Sequence, residues 1–180
     1  MEYWHSEEYN ANKKIKLSKL KKHITEIPKN ILDIGCGMAI ESEIFQKEYG
    51  SYLYLLDGNP KPNKNRTNDW GTSESFNFYN DIEQLKESFD ERKLDYTFLD
   101  ATENVEVPGV TFDFVFSFLS CGFHYPVTEY LPLIKSCTDE NTLIMFDIRR
   151  RSFDEQIKLF SEYDIIFSDN PKYYTVKVKL

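Results

Sequence analysis

Cysteine is scarce in this 180-residue chain: Cys36, Cys121 and Cys137 are odd in number and far apart. Such a set builds neither a disulfide framework nor a zinc cluster, so no metal is expected and a reducing cytoplasm is the expected setting. Positive charge is outweighed as well. With 22 Lys and Arg against 30 Asp and Glu, the formal net charge is −8. That balance argues against a broad phosphate-backbone footprint, which makes nucleic acid an unexpected partner. No apolar run reaches membrane-spanning length and the N-terminus carries no apolar leader core, so no membrane association is expected. Repeats and low-complexity blocks are missing, and the length suits one domain with helices on both faces of a sheet.

What is present centres on Asn30-Ile31-Leu32-Asp33-Ile34-Gly35-Cys36-Gly37-Met38-Ala39-Ile40. Ile31, Leu32 and Ile34 suit a strand buried on both faces. Gly35 and Gly37 follow where side chains would block approach of a ligand to the backbone. Ile40, Ile44, Phe45 and Tyr49 then recur at helical spacing until Gly50. A strand, a glycine turn and a helix N-terminus are expected to offer free N–H groups to a carboxylate or phosphate. The dinucleotide fingerprint needs a small residue where Ile40 stands. The alternative pattern, acidic-x-G-x-G-x-small, is met by Asp33, Gly35, Gly37 and Ala39. In this the sequence resembles motif I of the class I methyltransferases that bind S-adenosylmethionine. An ordinary two-glycine turn is the competing reading.

Residues 1–29 read as an N-terminal helical segment, with Ile15, Leu17, Leu20 and Ile24 inward and lysines outward. It is either a solvated helix on the domain edge or a lid whose aromatic residues (Tyr3, Trp4) fold over a ligand. Residues 30–180 form the main domain. Ser51 to Asp57 is a second strand ending in an acid 22 residues beyond Gly35, placed to accept two ribose hydroxyls, with Gly58 beside it. Residues 58–80 are loop-like, with Phe76, Phe78 and Tyr79 expected to pack back on the fold, and Asn80 or Asp81 should cap a helix containing Ile82, Leu85 and Phe89. Leu94 to Ala101 is a third strand, again ending in an acid. Phe112 to Leu119 is a fourth, Val127 to Cys137 a helix and Thr142 to Ile148 a fifth strand. Phe153, Ile157 and Phe160 mark another helix, and two strands joined through Ser168-Asp169-Asn170-Pro171 form a hairpin.

The family resemblance extends through this order. It implies a three-layer α/β, Rossmann-like fold with a seven-stranded, mostly parallel sheet and an antiparallel strand in its C-terminal hairpin. It implies S-adenosylmethionine as cofactor, held by Asp33, Gly35, Cys36 (through its backbone), Gly37, Asp57, Gly58, Asp100, Ala101 and Ser117, with Asp100 and Ala101 beside the adenine. Ser-x-x-Ser-x-Gly-Phe-His-Tyr-Pro from Ser117, with Asp147-Ile148-Arg149 after the next strand, resembles a group of small class I methyltransferase-like proteins from residue 30 to about 150. The acidic, double-proline signature of adenine and cytosine-N4 methyltransferases is missing there.

The loop after the fourth strand should border the pocket. His124 is the candidate general base, since an ordinary imidazole is largely neutral at pH 7, and Tyr125 a residue that orients the acceptor. Both are equally readable as loop packing. Arg149-Arg150-Arg151 reads as a solvated turn or as an anchor for an acidic substrate. Three functions are in contention: a methyltransferase for a hydroxyl or amine of a metabolite or sugar, one for a macromolecule docked on the lysine-rich helix, and a non-catalytic binder or sensor of the cofactor. Composition favours the first, with a small-molecule methyl acceptor as partner.

Overall fold

The computed structural model describes residues 7–58, 80–103 and 109–180, the side chains of residues 7–12 excepted. The expected N-terminal aromatic lid residues and the packing of Phe76, Phe78 and Tyr79 lie outside the described residues. Seven strands form one sheet: β1 Asn30–Ile34, β2 Tyr52–Asp57, β3 Tyr96–Asp100, β4 Phe114–Ser117, β5 Leu143–Arg149, β6 Glu162–Phe167 and β7 Tyr173–Lys179. Their order is β3-β2-β1-β4-β5-β7-β6. β1 to β5 pair in parallel, whereas β7 runs antiparallel to both β5 and β6. This is the expected Rossmann-like, mostly parallel sheet. β1 and β4 are neighbours although β2 and β3 intervene in sequence, so the topological switch point, where ligands bind in sheets of this kind, lies at the C-terminal ends of β1 and β4.

Near-continuous apolar strands are buried on both faces, as helices on each side require. Ile31, Leu53, Leu55, Phe114, Phe116 and Met145 point to the face covered by α1 (Glu7–Lys21), α2 (Ile40–Tyr49) and α3 (Ile82–Glu91). Leu32, Ile34, Leu56, Val115, Phe146 and Ile148 point to the other, against α4 (Leu131–Ser136) and α5 (Phe153–Gln156). α2 stops at Gly50, which takes the left-handed conformation at φ 71° and donates its amide to Gln46. α3 starts at Asp81, whose carboxylate accepts from the amides of Glu83 (3.0 Å) and Gln84 (3.2 Å).

Three expectations are corrected. Residues 127–137 are not one helix but a 3₁₀ turn, Val127–Glu129, followed by α4. Pro132 has no N–H to give the preceding turn, so the chain must begin a new helix around it. Phe153 to Phe160 is likewise a single α-turn followed by a 3₁₀ turn, Ile157–Leu159, before Phe160 turns extended (ψ 149°). The inward face of α1 carries Lys13, Lys16, Leu17 and Leu20 at i, i+3, i+4, i+7, while Ile15 is 50% exposed. Burying Lys16 requires a carboxylate beneath it. Asp147 of β5 provides one at 2.5 Å.

Candidate functional site

The turn after β1 is built around Leu56 at the end of β2. Its carbonyl accepts the amides of both Gly35 (2.7 Å) and Cys36 (3.0 Å), and the amide of Gly37 donates to Asp57 Oδ2 at 2.7 Å. The glycine-turn part of the expected N–H cradle is therefore closed, since these three amides are spent within the fold. The two glycines also differ in what their missing side chains permit. At Gly35 (φ 74°) a Cβ would lie 1.8 Å from Ser120 Oγ, so the vacancy admits the protein's own loop. At Gly37 (φ 49°) a Cβ would meet, among the described residues, only the Asn80 side-chain amide, at 3.8 Å, which leaves Gly37 as the more open of the two glycines of the turn.

Asp57 ends β2 facing this turn. It is buried and accepts from the amides of Gly37 and Gly58 (2.8 Å) and from the Asn80 side chain (3.4 Å). Burial raises its pKa, and the two backbone amides hold it down. A carboxylate has about four lone-pair directions, so three donors do not exhaust it. Asp100, in register with Asp57 on β3, accepts from the amide and hydroxyl of Thr102 through Oδ1. No donor reaches its Oδ2 among the described residues. Ala101 is buried between them and donates its amide to the Asp57 carbonyl at 2.7 Å. Asn80, expected only as a helix cap, thus joins Asp57; nothing local in the sequence distinguishes it.

Two other candidates turn to the frame. Asp33 accepts the Ser42 hydroxyl at 2.6 Å, which ties β1 to the first turn of α2, and burial raises its pKa well above the carboxylate range. Ser117 is fully buried, donates to the Ile34 carbonyl at 2.6 Å and accepts the Cys121 amide at 2.8 Å. Its hydroxyl is spent on joining β4 to β1 and shaping the next loop.

That loop is tightly held. Leu119 takes the left-handed conformation (φ 58°), with its amide on Asp147 Oδ2 at 3.1 Å. Gly122 (φ 91°) passes so close to β5 that a Cβ would lie 3.0 Å from the Asp147 carbonyl. The buried Gln156 accepts the Val127 amide at 2.9 Å and donates to the Gly122 carbonyl at 3.0 Å. The Tyr125 hydroxyl shares a 2.8 Å hydrogen bond with Ser120 Oγ, against Gly35, and burial raises its pKa well above the phenol range. It is a neutral hydrogen-bonding group facing the turn. His124 is exposed, its ring edge-on to Phe123 at 5.0 Å. Burial of part of the ring, then the Arg149 charge, lower its pKa. The imidazole is neutral at pH 7, as a base must be. Burial pushes the Cys36 and Cys121 thiols up, so neither is a thiolate nucleophile. No group of three or more potential metal ligands occurs among the described residues, nor is any helix there long and apolar enough to cross a membrane.

No family model and no curated protein matches the chain. Its fold matches solved structures. A ribosomal protein L11 methylase from Lactobacillus delbrueckii subsp. bulgaricus aligns at TM-score 0.58 and 12% identity, over 91% of this chain and 75% of that one. A precorrin-6y C5,15-methyltransferase from Geobacter metallireducens GS-15 aligns at 0.59 and 12%, over 98% and 90%. DhpI in complex with SAH aligns at 0.61 and 12%, over 99% and 89%. The chain has the class I methyltransferase fold.

Proposed function

We propose that this chain is an S-adenosylmethionine-dependent methyltransferase acting on a hydroxyl or amine of a small molecule. One observation carries the reading: two carboxylates, Asp57 and Asp100, stand in register at adjacent strand tips, and Asp57 meets Gly37, the more open of the two glycines in the turn after β1. Asp57 has lone pairs left for ribose hydroxyls, and Asp100 Oδ2 for an exocyclic amine. Gly58 and Ala101 follow these acids in the chain and both donate their amides to Asp57, Gly58 to its carboxylate and Ala101 to its carbonyl. Gly35, Cys36, Asp33 and Ser117 serve the same pocket by fixing the turn and the loop. The solved neighbours agree with this chemistry: they include a methylase, a methyltransferase and a protein in complex with SAH.

When bound, S-adenosylmethionine supplies an electrophilic methyl group. The chain's own contribution is placement, worth about 7–11 kcal/mol of barrier, and removal of the acceptor's proton by His124, worth about 10²–10⁴-fold. Tyr125, held by Ser120, orients the acceptor. A small acceptor is favoured by the pairing of the α1 lysines: Lys13, Lys16, Lys19 and Lys21 each meet an acidic partner of the fold, Glu41, Asp147, Asp169 and Glu48. Little free charge remains on that helix for docking a polyanion.

Calorimetric titration with S-adenosylmethionine, S-adenosylhomocysteine and NAD tests the cofactor. Binding of both adenosyl ligands, and at least tenfold weaker binding by Asp57→Asn, is expected. Binding of NAD alone refutes the assignment. His124→Ala should keep cofactor affinity and lose turnover; a sensor would lose neither.

A further inference from the structure

We infer that Arg149 is the anchor for a carboxylate on the methyl acceptor, so that the acceptor is a singly charged small acid. The inference rests on the methyltransferase reading above and names the substrate class for that site.

Of the three consecutive arginines, Arg150 is consumed by the fold. Its guanidinium donates to the carbonyls of Asn170 and Ser168 and to the Tyr174 hydroxyl, clamping the β6–β7 hairpin. Arg151 is exposed on a turn. Arg149 differs from both. It ends β5, where its backbone amide donates to the Gly122 carbonyl at 3.0 Å. Its guanidinium is half-buried, 4.4 Å from the centre of the Phe123 ring. No hydrogen bond or ion pair satisfies its side chain among the described residues, in a chain of net charge −8. Acidic partners were plentiful, and α1 uses four of them. A guanidinium held over an aromatic ring without a hydrogen-bond partner keeps its N–H donors available for bidentate contact with a planar anion.

Its neighbours fix the position and the charge of that anion. His124 and Arg149 both pack against the Phe123 ring, and Arg149 is near enough to His124 to disfavour the imidazolium, so the anchor at the end of β5 lies beside the base on the neighbouring loop. Of the cations on the elements that meet this loop, Arg150 is committed to its three acceptors and Lys16 to Asp147, while Arg151 and Lys172 are exposed. Among the described residues Arg149 is the one partly buried cation there with donors to spare, and its single charge matches a carboxylate, whereas a phosphate dianion calls for a second cation beside it.

The test is an NMR titration of the protein saturated with S-adenosylhomocysteine, following arginine Nε–Hε signals, with Arg149 assigned by its loss in Arg149→Gln. Probes are benzoate and acetate, their neutral isosteres benzamide and acetamide, and phenyl phosphate. A carboxylate should shift the Arg149 signal and bind at least tenfold more tightly than its amide, and Arg149→Gln should erase that preference. Arg149→Lys, which keeps charge without the fork, should retain part of it, and its melting temperature checks that the fold is intact. Equal binding of acid and amide, persistence of the preference in Arg149→Gln, no response to any acid, or tenfold preference for phenyl phosphate overturns the inference. Failure of S-adenosylhomocysteine to bind the same sample is a separate result, which sinks the methyltransferase reading instead.

Discussion

The Lys16 ammonium and the Asp147 carboxylate meet 2.5 Å apart inside the molecule, 131 residues apart in sequence. Lys16 is 6% exposed and Asp147 not at all. The ammonium also sits 3.9 Å from the centre of the Phe118 ring. The same carboxylate takes the Leu119 amide and, through Oδ1, the Thr175 hydroxyl at 2.6 Å. The loop that carries Ser120, His124 and Tyr125 is thus braced from a helix that sequence alone assigns to the periphery.

Lys16→Met should cost about 3–5 kcal/mol of stability at pH 7, because it leaves a buried carboxylate without its cation. Burial already raises the Asp147 pKa, and Lys16 holds it down. Without Lys16 the pKa rises further, so Asp147 becomes neutral as pH falls from 7 and the cost of an unpaired charge disappears. Thermal melts of the two proteins should therefore converge at acid pH. A deficit independent of pH would rule out the ion pair as its cause.

Ser117→Ala should destabilise by about 2–4 kcal/mol, since the Ile34 carbonyl and the Cys121 amide both lose a buried partner. Faster amide exchange at Cys121 than in the parent protein is the local signature. Unchanged exchange there would mean that another group holds the loop.

Gly35→Ala places a Cβ on Ser120 Oγ at a φ of 74°. Overpacking and a left-handed backbone together predict a loss of about 2–5 kcal/mol. Adding Ser120→Gly should restore the overpacking part and leave the backbone part. Denaturant midpoints of the single and double variants separate the two.

His124 should titrate below the ordinary imidazole range, because burial and then Arg149 lower its pKa. Arg149→Gln removes the positive charge, so the midpoint should move up towards that range. Imidazole NMR signals report this directly. In turnover, the acid limb of the pH profile should move to higher pH by the same interval.

Much of the fold was legible because its signals are local. Ile31 to Ile34 followed by two glycines, the 3.6-residue spacing to Gly50, acids ending β2 and β3, and the hairpin through Asn170 each lie within one short window. The two helices that broke differently also have local causes, Pro132 above all. What escaped was long-range complementarity. Lys16 reads as one more solvated lysine until Asp147 lies beneath it, and Asp147 reads as an interruption in an apolar strand. The Gly35 and Cys36 amides looked free only because the Leu56 carbonyl, on the next strand, is invisible to a motif. At Arg149 the triplet signalled an anion anchor, but only the structure separates it from Arg150, whose donors are spent.

One consequence follows from the three donors gathered on Asp147. They come from residues 16, 119 and 175, near both extremities and the middle of the chain. Releasing either α1 or β7 strips the same carboxylate, so neither end frays independently of the other. The two ends should open and close as one cooperative unit, and that unit includes the loop beside Gly35. A nascent chain cannot complete this junction until Thr175 has been made, which couples the last-formed strand to the shape of the site.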